Sequence, residues 1–255
     1  MHSAIRRFKQ TTLALSLVLM TAPAWAVPTL QLDIAGGTYD LADESIFASS
    51  NTFSLYAYGL VGAATLTDQY FISMALVPKA TTPGSYGSFV VDGITVNVTS
   101  DMIAGGPPLD ITFEATTNFD AHDLAKHGVF PTFFTERGFF FSAADQSAVY
   151  NTQDVAGSGP QLGEGMYYKK FDFDISGLAP GLGIHFDLYN IELINRCKGK
   201  TCTVTDIDVD EFAPFSHDAA GYVTTPIPEP ETYAMLLAGL GLMGLVARRR
   251  KNRPF

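Results

Sequence analysis

Seven stretches of this chain alternate apolar with polar residues, or are dense in β-branched and aromatic side chains. They are residues 29–34, 53–60, 70–77, 89–98, 167–175, 184–194 and 203–209. In Phe171-Asp172-Phe173-Asp174-Ile175 the three apolar side chains face one way and the two carboxylates the other. That period of two is the pattern of a strand with one buried and one wet face. Within 89–98, Asp92-Gly93 supplies the two residues of a tight hairpin turn. About ten strands with short turns and no sustained helical period predict an all-β fold, a single β-sandwich or jelly-roll-like domain. Short helices are expected near residues 43–48 and 120–126. Gly105-Gly106-Pro107-Pro108 and Ala156-Gly157-Ser158-Gly159-Pro160 read as loops.

Composition agrees with a folded middle. Apolar residues make up 47% and charged ones 16%, with 19 Phe and 11 Tyr. The net charge of -10 is unevenly spread. Arg6, Arg7 and Lys9 sit at the start; Arg248, Arg249, Arg250, Lys251 and Arg253 sit at the end. This leaves 8 cations against 24 acids in residues 27–227, a net of -16. Such a charge repels nucleic acid and anionic lipid, so no nucleic-acid partner is expected.

Both ends read as targeting segments. The basic start runs into an apolar stretch from Leu13 to Met20, then Ala24-Trp25-Ala26. Small residues at 24 and 26 predict a signal peptide over residues 1–26 and a mature chain that begins at Val27. Pro228-Glu229-Pro230 comes before an uncharged run and the basic stop Arg248, Arg249, Arg250 and Lys251. A helix over 233–247 would be about 22 Å long, short for a bilayer but spanning if Tyr233 and Arg248 snorkel. The arginines stay in the cytoplasm. The expected organisation is a signal peptide at 1–26, an exported sandwich at 27–225 and a sorting segment at 226–255, with its basic tail at 248–253.

Pro-Glu-Pro, a short membrane run and a terminal arginine cluster together resemble the PEP-CTERM sorting signal. The resemblance implies recognition by an exosortase in a Gram-negative bacterium that makes exopolysaccharide. It also implies anchoring in the membrane, then transfer to the cell surface or biofilm matrix. The middle resembles the choice-of-anchor N type through Leu30-Gln31-Leu32-Asp33-Ile34, Gly37-Thr38-Tyr39-Asp40, Phe53-Ser54-Leu55-Tyr56 and the stretch from His127 to Glu136. That type implies no catalytic residues.

Few residues suggest chemistry. Cys197 and Cys202 are the only cysteines and lie between strand-like runs, so export predicts a disulfide across a hairpin. Asp206, Asp208 and Asp210 alternate and Glu211 follows. They are either a solvated strand face or an edge for calcium. The exported histidines are His122, His127, His185 and His217. The spacing of His122 and His127 does not suit one helical face, and no HExxH occurs, so no zinc site is expected. Ser216-His217-Asp218 is adjacent in sequence, whereas triads come from distant segments. No GxSxG occurs. Phe130, Phe133, Phe134, Phe139, Phe140 and Phe141 are either core or a sugar-stacking platform. The expected function is a non-catalytic structural protein of the surface or extracellular matrix. A carbohydrate-binding module for exopolysaccharide and a secreted hydrolase are the alternatives.

Overall fold

The computed structural model describes residues 27–107, 124, 125 and 127–223, without the side chains of 193–196 and 203–207. The expected signal peptide, membrane helix and basic tail lie outside the described residues. Among the described residues no helix is long and apolar enough to cross a membrane.

Fourteen strands make up the described fold. They are β1 (Leu30–Ile34), β2 (Thr38–Asp40), β3 (Ser45–Phe47), β4 (Thr52–Leu60), β5 (Tyr70–Val77), β6 (Ser88–Val91) and β7 (Ile94–Asn97). After them come β8 (Ile103–Gly105), β9 (Thr132–Phe139), β10 (Gln146–Ala148), β11 (Gly165–Asp174), β12 (Gly183–Lys198), β13 (Thr201–Phe212) and β14 (Asp218–Tyr222). All seven stretches expected from the sequence contain strands. Asp92-Gly93 turns β6 into β7, with Val91 opposite Ile94. Residues 43–48 are not helical. They turn and enter β3, which pairs with β2 across that turn and, in parallel, with β14 far along the chain.

The first sheet has the order β1-β4-β11-β6-β7, with β10 also on β11. The second has the order β2-β3-β14-β12-β5-β9-β8, with β13 also on β12. The two sheets pack face to face around one apolar core. Leu32, Leu55 and Phe173 of the first sheet meet Met74, Ile184 and Phe186 of the second. The rings of Phe173 and Phe186 lie 4.7 Å apart. Removing a ring such as Phe186 would cost about 3–5 kcal/mol, since so dense a core collapses poorly around a cavity.

The far side of the second sheet is covered as well. Ile184, Phe186 and Leu188 of β12 enter the main core, so His185, Asp187 and Tyr189 point to the other face. There Leu124, Phe130, Phe134 and Tyr189 form a smaller apolar cluster, with Val129 and Phe215 packed against it. Residues 124 and 127–131 therefore lie over β12 and keep polar side chains of that face from water.

Candidate functional site

His185 and Asp187 are two residues apart on β12 and share its outer face. Asp218 opens β14. Pairing of Phe186 with Ala219 and of His185 with Ala220 brings Asp218 beside Asp187. His127 reaches the same point from the covering segment. Its ring stacks on Phe215 at 4.1 Å and meets the edge of Phe130 at 5.9 Å. Its backbone has φ +26°, a left-handed conformation that costs free energy for a non-glycine residue. The overlying packing holds it there.

The four side chains converge. His127 Nε2 lies 3.2 Å from His185 Nε2 and 2.9 Å from Asp187 Oδ1. His185 Nε2 lies 3.3 Å from Asp187 Oδ1 and 3.5 Å from Asp218 Oδ2. One donor atom from each of the four lies within 4.8 Å of every other. His185 is 8% exposed, and Asp187 and Asp218 are 1% exposed. Asp187 Oδ2 and both Asp218 oxygens have no hydrogen-bond partner among the described residues. His127 Nδ1 donates to the Ala125 carbonyl at 2.5 Å, which aims Nε2 inward.

Electrostatics pull the four groups in different directions. Burial opposes a charge on His185, but Asp187 and Asp218 outweigh it and hold the imidazole up at about 10. Burial pushes Asp218 up to about 7, against the pull of His185. Burial would also raise Asp187, yet His185 and His127 bring it well below the usual carboxylate range. His127, His185 and Asp218 form part of the wall of a cleft of about 560 Å³, together with Glu44, Lys79 and Phe215.

The other candidates fall elsewhere. Cys197 and Cys202 pair across the β12–β13 hairpin and form the expected disulfide, with Cα atoms 4.0 Å apart. Asp208 faces Glu192 and Asp206 faces Ile194, while an irregularity beside Asn190 sets Asp210 out of that alternation. Asp210 Oδ2 accepts from Asn190 Nδ2 at 3.3 Å. His217 bonds Ser216 Oγ and Asn151 Oδ1, away from the aspartate that follows it. His122 lies outside the described residues. Phe130, Phe133, Phe134, Phe139 and Phe141 are buried, and Phe140 is 53% exposed. The five buried phenylalanines are packing, and buried rings cannot form a sugar platform.

Sequence reasoning missed the grouping of His127, His185, Asp187 and Asp218. The two histidines are 58 residues apart. The one local sign was a histidine and an aspartate alternating with Ile184, Phe186 and Leu188 in a strand otherwise built for burial.

The remaining segment, after the last strand, is the one that comparison with known proteins explains. Residues 226–251 match the PEP-CTERM protein-sorting motif. The motif contains Pro228-Glu229-Pro230 and the basic residues Arg248, Arg249, Arg250 and Lys251. It marks an exported protein that an exosortase processes at a membrane-associated C-terminus. The chain matches no curated protein and no solved structure. The resemblance of the middle to the choice-of-anchor N type gains no support from these comparisons.

Proposed function

We propose that the sandwich is a non-catalytic structural component of the cell surface or extracellular matrix, delivered there by PEP-CTERM sorting. The observation that carries this reading is the sorting motif at 226–251, which begins just after β14 closes the second sheet. A self-contained core ahead of such a segment can be moved as a unit. The net charge of -16 over residues 27–227 suits a hydrated, anionic-lipid-repelling surface. The signal peptide at 1–26 and the membrane helix at 233–247 belong to the same reading.

Fractionation of a producing strain with and without its exosortase tests it. The sandwich should reach the surface or matrix in the first strain and stay in the membrane at full length in the second. Equal distribution in both would refute the reading.

A carbohydrate-binding role is a second reading, moved from the phenylalanines to another place. Tyr56 and Tyr168 lie half-buried on the outer face of the first sheet, with rings 6.0 Å apart. Aromatic rings on a sheet face can stack on sugars. The Tyr56→Ala, Tyr168→Ala double variant should then be sorted normally but elute early from an exopolysaccharide column.

A further inference from the structure

We propose that His127, His185, Asp187 and Asp218 bind one divalent transition metal of the zinc class, which clips the covering segment onto the second sheet. Two imidazoles and two carboxylates make a borderline donor set that suits zinc and its neighbours. Metal–ligand bonds of about 2.0–2.2 Å place tetrahedral donors about 3.3 Å apart. The distances here are 2.9, 3.2, 3.3, 3.5 and 4.0 Å.

Protons alone satisfy this arrangement poorly. The Nδ1–H of His127 is given to Ala125, so a neutral His127 turns a lone pair toward Asp187 Oδ1 at 2.9 Å. Protonating Nε2 as well mends that contact but leaves this nitrogen 3.2 Å from His185 Nε2, with no acceptor between two protonated nitrogens. His185 needs its own Nε2 proton for Asp187 or Asp218. Asp218 Oδ2, the oxygen turned toward both imidazoles, still lacks a hydrogen-bond partner among the described residues. A buried carboxylate oxygen without a donor is costly. One cation at the centre serves all four groups at once.

The Nδ1–H bond to Ala125 is also the outer contact that fixes a metal-binding imidazole in tautomer and direction. Four protein ligands fill a tetrahedral shell, which is the pattern of a structural ion. Three of them come from β12 and β14, and the fourth from the segment that covers β12. The metal's effect is therefore to hold that segment down.

The test uses the full-length chain, purified in detergent with an affinity tag free of histidine. Metal content is measured on the purified protein, and melting before and after chelation. We expect about one transition-metal ion per chain, a melting temperature that falls on chelation, and recovery with equimolar zinc. Cobalt in place of zinc should give the intense visible absorption of a four-coordinate site. His127→Ala should weaken zinc binding by more than ~100-fold. Its side chain lies in the covering segment, so this variant should keep the sandwich. Asp218→Asn should likewise lose the cobalt spectrum. Metal-free protein that neither zinc nor cobalt stabilises would overturn the proposal. So would stabilisation by calcium that His127→Ala leaves intact, since that would assign the cation to the edge at Asp206, Asp208, Asp210 and Glu211.

Discussion

Asp187 and Glu136 lie on one line across the second sheet, with Ser73 between them. Ser73 pairs with Asp187 on one side and with Glu136 on the other. All three point to the covered face, and Ser73 Oγ has no hydrogen-bond partner among the described residues. Glu136 accepts a short bond from the Tyr189 hydroxyl. Burial raises the Glu136 carboxyl above its ordinary value, although the bond from Tyr189 pulls the other way.

This gives a pH dependence with a definite sign. A raised folded value means the unfolded chain releases the proton first as pH rises. The contribution of Glu136 to stability is thus complete below about pH 4.5 and is lost as pH climbs through the folded value. Glutamine keeps an acceptor for Tyr189 and cannot ionise. Melting curves of wild type and Glu136→Gln should therefore run close together near pH 4. The variant should gain on wild type as pH rises to 7. A gap that moves the other way would mean that Glu136 stabilises the fold as an anion.

Asp33 carries a second prediction. Its oxygens accept from Gly157 N at 2.8 Å, Gly159 N at 3.0 Å and the Tyr150 hydroxyl at 3.1 Å. It ties the 150–160 loop to β1. Burial raises its carboxyl, with these bonds acting in opposition. Asp33→Ala would leave the donors without an acceptor in a buried place, at a cost of about 2–4 kcal/mol. Urea unfolding should show that loss. Gly157 fails by a different route. Its φ is +79°, and a Cβ there would sit 2.3 Å from the Gly37 carbonyl oxygen. Gly157→Ala should also destabilise the fold, whereas alanine at the open position Gly181 should matter less.

The sandwich was legible in the sequence where one strand face is wet and the other buried. Phe171-Asp172-Phe173 is such a place, and period two shows there without help. β9 was harder. Phe133 and Phe134 are neighbours on opposite faces and both are buried, because the second sheet is covered on both sides. Alternation disappears there, and only aromatic content remains. Residues 43–48 misled for another reason: β3 is only three residues long and is held between β2 and β14, and the parallel pairing with distant β14 is reported by no local pattern. The His and Asp cluster was hidden in the same way. Register between β12 and β14 and the folding back of residues 127–131 bring the four groups together, and spacing along the chain encodes neither. The disulfide was legible because it joins two residues across one local turn.

That disulfide should matter little to global stability. Cys197 and Cys202 are 5 apart in sequence and close a hairpin tip whose residues 197–202 are exposed. By chain entropy so small a loop contributes on the order of 2 kcal/mol at most. The tip lies outside both apolar clusters. Replacing both cysteines with serine should lower the melting temperature only slightly. Amide exchange should quicken at the ends of β12 and β13 and stay unchanged in β5. Loss of the whole fold would show that the hairpin is needed for β12 to form.

The boundary between body and sorting segment gives the last prediction, and two truncations test it. The final described backbone bond runs from Val223 N to the Leu182 carbonyl at 2.8 Å. Ala219 is in the main core, and Val223 packs against it. Removing residues 228–255 therefore leaves both sheets and their core whole. The product should appear in the periplasm as a folded, soluble protein with a melting temperature close to that of the full chain. Removing residues 218–255 instead deletes β14. That strand joins β12 to β3, so its loss uncovers Ile46, strips β12 of one neighbour and takes Asp218 with it. This product should be degraded or insoluble. If the shorter deletion were also insoluble, the sorting segment would be part of the fold, and the sandwich would not be the unit that export and sorting deliver.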